Sequence, residues 1–317
     1  MNYLVTGSAG HLGEALVRTL KEQGHSVIGL DVLASAFTDV VGSITHRATL
    51  AQCMRGVDAV LHTATLHKPH VATHSRQDFV DVNISGTLNL LEEAVSAGVQ
   101  SFVFTSTTSA FGDALSPTAG APAAWITEDV APIPKNIYGT TKTAAEDLCQ
   151  LFHRNHGVPC LVLRAARFFP EEDDNARTAA AYADGNIKAN EFLYRRVDIE
   201  DVVSAHLLAA GKAASIGFDR FIISATTPFT QSDLAELRTD APDVLRRIFP
   251  EYEAFYASLG WKMFPEIDRV YVNARALSAL GWMPQHDFLH VLHRLKDGVD
   301  PRSALARKIG AKGYHRC

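Results

Sequence analysis

Two hydrophobic periods alternate along the first two-thirds of the chain. Residues 2–6 (NYLVT), 26–31 (SVIGLD), 58–63 (DAVLHT), 101–106 (SFVFTS) and 159–164 (PCLVLR) are short, mostly apolar runs rich in Val, Leu, Ile and Phe. That is the pattern of strands buried on both faces. Between them, residues 12–23 repeat apolar positions at helical spacing and stop before Gly24; 79–97 and 138–156 do the same, ending near Gly98 and Gly157. Strand and helix in alternation with short connections predict an α/β protein with a doubly wound parallel sheet and right-handed crossovers. Two stretches break the rhythm. Residues 113–136 are proline-rich and aperiodic, which predicts a long loop of the kind that serves as a lid or binding loop; residues 171–186 are acidic and then alanine-rich. Beyond FIIS (221–224) the pattern is less regular, with aromatic residues around 249–261 and GWMP at 281–284, and there is no internal repeat. A smaller C-terminal cap is expected there, with the tail 298–317 peripheral.

The connection from the first strand to the first helix carries the strongest local signal. Thr6-Gly7-Ser8-Ala9-Gly10-His11-Leu12-Gly13 places glycines at 7, 10 and 13. They permit a tight turn, close backbone approach and close helix packing, while the helix N-terminus offers N–H groups to a pyrophosphate. Asp31 closes the second strand, where a carboxylate accepts hydrogen bonds from the adenosine ribose hydroxyls. It would repel a 2′-phosphate, and neither Val32 nor Leu33 brings a compensating cation, so NAD is expected over NADP. A Rossmann-like NAD-binding domain over 1–165 and 195–225 follows, with 166–194 and 226–317 forming the substrate-binding cap and tail.

Composition narrows the classes. The chain has 317 residues, 47% hydrophobic, with a net charge of −5, so it can bury a large core. Its basic residues are scattered, with no run longer than Arg195-Arg196 or Arg246-Arg247, which argues against nucleic acid as a partner. No apolar run approaches the ~20 residues of a membrane helix. MNYLVTG opens directly as a strand, leaving no room for a leader. Cys53, Cys149, Cys160 and Cys317 show no CxxC or ligand-like spacing and are expected as unpaired thiols. A cytoplasmic protein is the expectation.

Tyr138 and Lys142 in YGTTK lie one turn apart on one helix face. Together with TGSAGHLG (6–13), Asp31, GVDAVLHTA (56–64), NISGTLNLLEEA (83–94), FTSTTSAFG (104–112) and DVVSAHLLA (201–209), this resembles the extended short-chain dehydrogenase/reductase family, in particular its NAD-dependent epimerase/dehydratase group. The resemblance spans about two-thirds of the chain. It implies that Tyr138 is the acid/base, that Lys142 binds the nicotinamide ribose and favours the phenolate, and that Thr107 orients the substrate hydroxyl, with Ser106 in its place if the register shifts by one. It implies a dinucleotide held by Gly7, Gly10, His11, Leu12, Gly13, Asp31, Ser43, Ala64 and Lys142, and substrate contacts from Ser106, Thr108 and His67. A neighbouring ammonium and a positive nicotinamide ring would lower the tyrosine pKa from its ordinary value near 10. Asn83 would hold backbone or a water near the site, or cap a helix. The helices at 79–97 and 138–156 would form a homodimer interface.

Departures from the family pattern are informative. Thr108-Ser109 follow Thr107 where the group's 4,6-dehydratases have an Asp-Glu pair, and no cysteine lies in 104–112 as in its 3,5-epimerases. Oxidation of a secondary alcohol remains, completed as a dehydrogenase or reversed on the other face as an epimerase. Tyr194 stands where an arginine grips a nucleotide-sugar diphosphate, with Arg195 or Arg196 as substitutes, and Ser43 replaces the aspartate of a glycine-aspartate pair that contacts adenine. The segment between Pro170 and YRRVDIEDVV (194–203) is short, which favours a small sugar, polyol or sugar acid over a nucleotide sugar; a UDP-sugar 4-epimerase is the alternative, and a non-catalytic dinucleotide-binding regulator a remote one. Among the arginines at 164, 167, 195, 196 and 275, Arg167 and Arg196 are expected at the substrate. The acidic run 171–174 reads as a solvated loop. His62, His67, His70 and His74 match no usual zinc spacing, so no metal is expected.

Overall fold

The computed structural model describes residues 1–172 and 175–313; Asp173 and Asp174 of the acidic run, and Cys317, lie outside the described residues. The strands are β1 (Asn2–Thr6), β2 (Ser26–Asp31), β3 (Val40–Val41), β4 (Ala59–His62), β5 (Ser101–Thr107), β6 (Ala124–Ile126), β7 (Cys160–Ala165), β8 (Phe218–Ile223) and β9 (Arg269–Tyr271). Seven of them form one sheet in the order β3-β2-β1-β4-β5-β7-β8, every pair parallel. The strand order reverses between β1 and β4. Such a switch point opens a crevice at the C-terminal strand ends, where doubly wound sheets bind ligands.

Connecting the strands are α1 (His11–Glu22), α2 (Arg47–Cys53), α3 (Arg76–Phe79), α4 (Gly86–Ala97), α5 (Ile137–His156), α6 (Ala176–Ala181), α7 (Asp184–Glu191) and α8 (Ile199–Ile216), of which α7 packs into the cap core rather than on the sheet. One face packs Leu16 and Leu20 of α1 with Val203 of α8, Phe221 and Trp282; the other packs Leu90, Leu91, Phe102, Cys149 and Phe152. The strands read as continuous apolar runs because helices cover both faces. Cys53, Cys149 and Cys160 are buried free thiols. The helix expected over 79–97 is one helical run from Arg76 to Ala97, interrupted by a π-turn at Val80–Ser85.

Two expectations are corrected. The stretch 113–136 is not simply a loop: its β6 pairs in parallel with β9 to form a two-stranded sheet. Pairing satisfies the backbone of a segment that has no helical or strand period of its own. Ala123 and Trp125 thereby join the cap core of Leu245, Tyr252, Tyr256, Phe264 and Phe288. The tail is not peripheral either. A helix at Ala304–Ile309 packs Ile309 into the core beside α1 and α8, and residues beyond it return to the glycine-rich connection. Among the described residues, no helix is long and apolar enough to cross a membrane.

Candidate active site

A cleft of about 1080 Å³ runs across the C-terminal strand ends, from Asp31 at one end to Arg167, Arg195 and Arg269 at the other. Its centre is built on the last three residues of β5, each tied to a neighbouring helix. The Thr105 hydroxyl bonds His206 of α8 at 2.7 Å, while its carbonyl accepts from Lys142 Nζ at 2.6 Å. Ser106 donates to Glu146, one turn beyond Lys142, and Glu146 also binds Arg164 and Arg220. Thr107 accepts the Ser109 N–H at 3.1 Å and lines the cleft with Tyr138, whose pKa its side chain lowers. Thr107 is therefore the residue aligned with Tyr138, whereas the Ser106 hydroxyl is committed to Glu146 although the residue borders the cleft.

Helix α5 presents Tyr138, Lys142 and Glu146 on one buried face. Asn136 caps it by accepting the Gly139 N–H. Burial pushes Tyr138 up to about 12, against the opposing effect of the Thr107 side chain. Burial pulls Lys142 down to about 7, with the Glu146 charge opposing. The Lys142 ammonium also lies 4.0 Å from the centre of the Phe104 ring. In the chain alone, then, Lys142 bonds Thr105 rather than lowering the tyrosine pKa.

Asn83 satisfies its whole amide: Oδ1 accepts from Leu66 N–H and the Thr65 hydroxyl, and Nδ2 donates to the Leu66 carbonyl and Thr141 Oγ1. Thr141 in turn donates to the Tyr138 carbonyl. Asn83 sits inside the π-turn, so it holds the backbone after β4 against α5 and caps no helix. His62 is buried between Thr6 and Thr87, at 2.8 and 2.9 Å, and burial lowers its pKa well below the ordinary value. His67, His70 and His74 border the cleft, His67 stacked on Phe169 with ring centres 5.7 Å apart. Among the described residues, His, Cys, Asp and Glu form no group of three able to hold a metal ion.

The other end fits a dinucleotide. Gly7 has φ +75°, and a Cβ there would lie 2.7 Å from the Ala64 nitrogen; a Cβ on Gly13 would lie 1.9 Å from the Gly7 carbonyl oxygen. Glycine is thus required for the loop to fold onto α1 and β4. Helix α1 begins without a side-chain cap, leaving the amides of His11, Leu12 and Gly13 for an anion. Asp31 is oriented by the Ala9 and Leu33 N–H groups, both at 2.9 Å, and its carboxylate borders the cleft. Gly10, Ser43 and Ala64 also border it, although the Ser43 hydroxyl is engaged by Thr45 at 2.8 Å.

The substrate end differs from the sequence expectation in its cations. Thr108, His67 and Arg167 border the cleft, but Arg196 lies behind it, bonding Glu191 at 2.8 Å and the Phe169 carbonyl at 3.1 Å. Arg164 pairs with Glu146, and Arg275 with Asp129, outside the cleft. Glu191 is fully buried and also pairs with Arg167 and Arg195. Burial raises its pKa, but the charges of Arg196, Arg195 and Arg167 outweigh that and hold it at about 2. Arg269 and Tyr271 reach the cleft from β9, and Phe168 and Phe169 form a stacked aromatic wall.

Comparison with known proteins agrees with this geometry. The NAD dependent epimerase/dehydratase family model matches residues 3–223. A UDP-glucose 4-epimerase of Mycolicibacterium smegmatis is 28% identical over 326 residues, covering 90% of this chain and 94% of that protein. Other matches are partial. The chain spans between about a third and just over half of the length of three further relatives, among them a 3-beta-hydroxysteroid dehydrogenase of Mycolicibacterium neoaurum, 39% identical over 33% of this chain and 32% of that protein. In fold, the chain is similar to a short-chain dehydrogenase/reductase superfamily protein from Agrobacterium tumefaciens solved with bound NAD, with 24% identity, 97% of this chain and 99% of that chain covered, and a TM-score of 0.66. A strand-to-helix glycine loop, an acid at the end of β2 and a Tyr-Lys face beside β5, within a family match over most of the sheet, place this chain in the NAD-dependent epimerase/dehydratase family.

Proposed function

We propose that this protein is an NAD-dependent oxidoreductase or epimerase acting at a secondary alcohol carbon of a sugar, polyol or sugar acid, with Tyr138 as acid/base. The observation that carries this reading is that Thr107 at the end of β5 and Tyr138 on α5 line the same cleft, with the Thr107 side chain near enough to lower the tyrosine pKa. Two hydroxyls presented to one cleft can both contact a substrate hydroxyl placed between them. NAD, when bound, supplies the hydride acceptor. Thr107, fixed by the Ser109 amide, holds the substrate oxygen; Tyr138 takes its proton and later returns it. Lys142, held by the Thr105 carbonyl one helical turn along α5 from Tyr138, would hold the nicotinamide ribose.

A UDP-sugar 4-epimerase is the second reading. The match to the M. smegmatis protein over almost its full length favours it, as do three guanidinium groups at the substrate end, which suit a phosphate or carboxylate. They also argue for a substrate more anionic than a sterol. A cytoplasmic homodimer formed through α4 and α5 belongs to the same proposal. The experiment is to denature the purified, dialysed protein, quantify released dinucleotide, and assay it with UDP-sugars and with free sugars and sugar acids. Retained NAD with interconversion of two UDP-sugars supports the epimerase; reversible NAD binding with net oxidation of a free sugar or sugar acid supports the dehydrogenase. Failure to bind NAD would remove both.

A further inference from the structure

The C-terminal segment makes contacts that neither the family match nor the acid/base machinery accounts for. After the helix Ala304–Ile309, the chain turns at Gly310, whose φ of +62° suits glycine, and runs over the glycine-rich connection. Lys312 Nζ donates to the Ala9 carbonyl at 2.6 Å and to Glu14 Oε2 at 2.5 Å. Ala9 lies inside the loop and Glu14 in the first turn of α1, so one ammonium spans both. The Lys312 and Gly313 amides donate to Glu171 Oε1, each at 3.1 Å, and that oxygen also pairs with His11 Nε2 at 2.8 Å. Glu171 follows Phe169 and Pro170, and Phe169 sits edge-on to His11. The phosphate-type loop, the aromatic wall and the C-terminal segment are thus joined in one network, and Gly313 borders the cleft.

The segment is held from both sides. Ser303 caps its helix and donates its N–H to Asp198, Lys308 pairs with Glu22 at 2.8 Å, and Ile309 is buried against the α1 side of the core. Lys312 also balances charge. Glu14 puts a carboxylate in the first turn of a helix whose N-terminus would receive an anion, and Lys312 and Arg18 offset it.

We propose that Gly310–Gly313 is a clasp on the dinucleotide loop, with Lys312 as its catch, and that it slows release of the bound dinucleotide. The proposal rests on the dinucleotide reading of the cleft. Retention of this kind suits an enzyme that must keep its reduced cofactor between two half-reactions.

The test measures NADH dissociation by stopped-flow fluorescence, chasing with excess NAD, for the intact chain, for Lys312→Met and for a chain ended after Gly310. Release should be roughly ten-fold faster or more in both variants, the scale of losing one charge-assisted hydrogen bond. Glu14→Gln in the Lys312→Met background should recover part of the loss, because it removes the unbalanced carboxylate. Equal release rates in the intact chain and Lys312→Met would overturn the clasp while leaving the dinucleotide site standing; no binding by the intact chain would overturn both. Should truncation unfold the chain, seen as loss of helical circular dichroism, Lys312→Met alone decides.

Discussion

Lys142 sits fully buried with its ammonium on the Thr105 carbonyl and over the Phe104 ring, and burial brings its pKa down to about 7. An unfolded lysine keeps its proton to about pH 10.4. Between those values the unfolded chain binds more protons, so this group makes stability rise with pH from about 7 upward, and its cost is greatest at and below neutrality. Lys142→Met should therefore be more stable than wild type near pH 7, by up to a few kcal/mol, while losing activity. Urea midpoints across pH 6–10 check this, and a stability difference that stays constant with pH would contradict it. Spacing alone puts the tyrosine and lysine on one helix face, but their proposed roles, and that of Thr107 in FTSTTSAFG, come only through the family resemblance. Glu146 was equally within reach, four residues beyond Lys142 on the same face. Arg196 was not assignable from sequence: only the fold shows that Glu191, five residues earlier, holds it behind the cleft.

At the scale of elements, the glycine loop and α5 follow local rules that sequence expresses well. Their ends are set by Gly10, Asn136 and Gly157, and the core strands by apolar runs with helices on both sides. Gly13 has no room for a side chain, since a Cβ would meet the Gly7 carbonyl oxygen at 1.9 Å. Gly13→Ala should cost about 1–3 kcal/mol or more from overpacking, and it should abolish dinucleotide binding by displacing the loop. Thermal unfolding and a NADH binding titration measure the two effects; an alanine variant that binds normally would show that the loop relaxes without consequence. Strands β6 and β9 were illegible for a physical reason. Each is three residues long, and they pair across more than 140 residues, so no local period announces them. Arg269 and Tyr271 reach the cleft only through that pairing.

Across the whole molecule, the proposed chemistry sits at the C-terminal strand ends of the sheet, and Arg269 and Tyr271 of β9 border the end of the cleft assigned to substrate. The doubly wound sheet and its dinucleotide end could be read along the chain because each depends on contiguous residues. The substrate end depends on β9, on Phe168 and Phe169, and on arginines sorted by Glu191, which converge only in three dimensions. The C-terminal segment is the extreme case, with Lys312 meeting Glu14 from the other end of the chain. The central claim is that these parts serve one proton-coupled hydride transfer at Tyr138. Its most direct test is a single-turnover comparison of wild type and Tyr138→Phe, loaded with NAD and mixed with UDP-sugars, free sugars and sugar acids, followed in the reduced-nicotinamide absorbance band. Loss of a general acid/base predicts a rate lower by roughly 10²–10⁴-fold with NAD affinity little changed. A Tyr138→Phe chain that reduces NAD as fast as wild type would contradict the account.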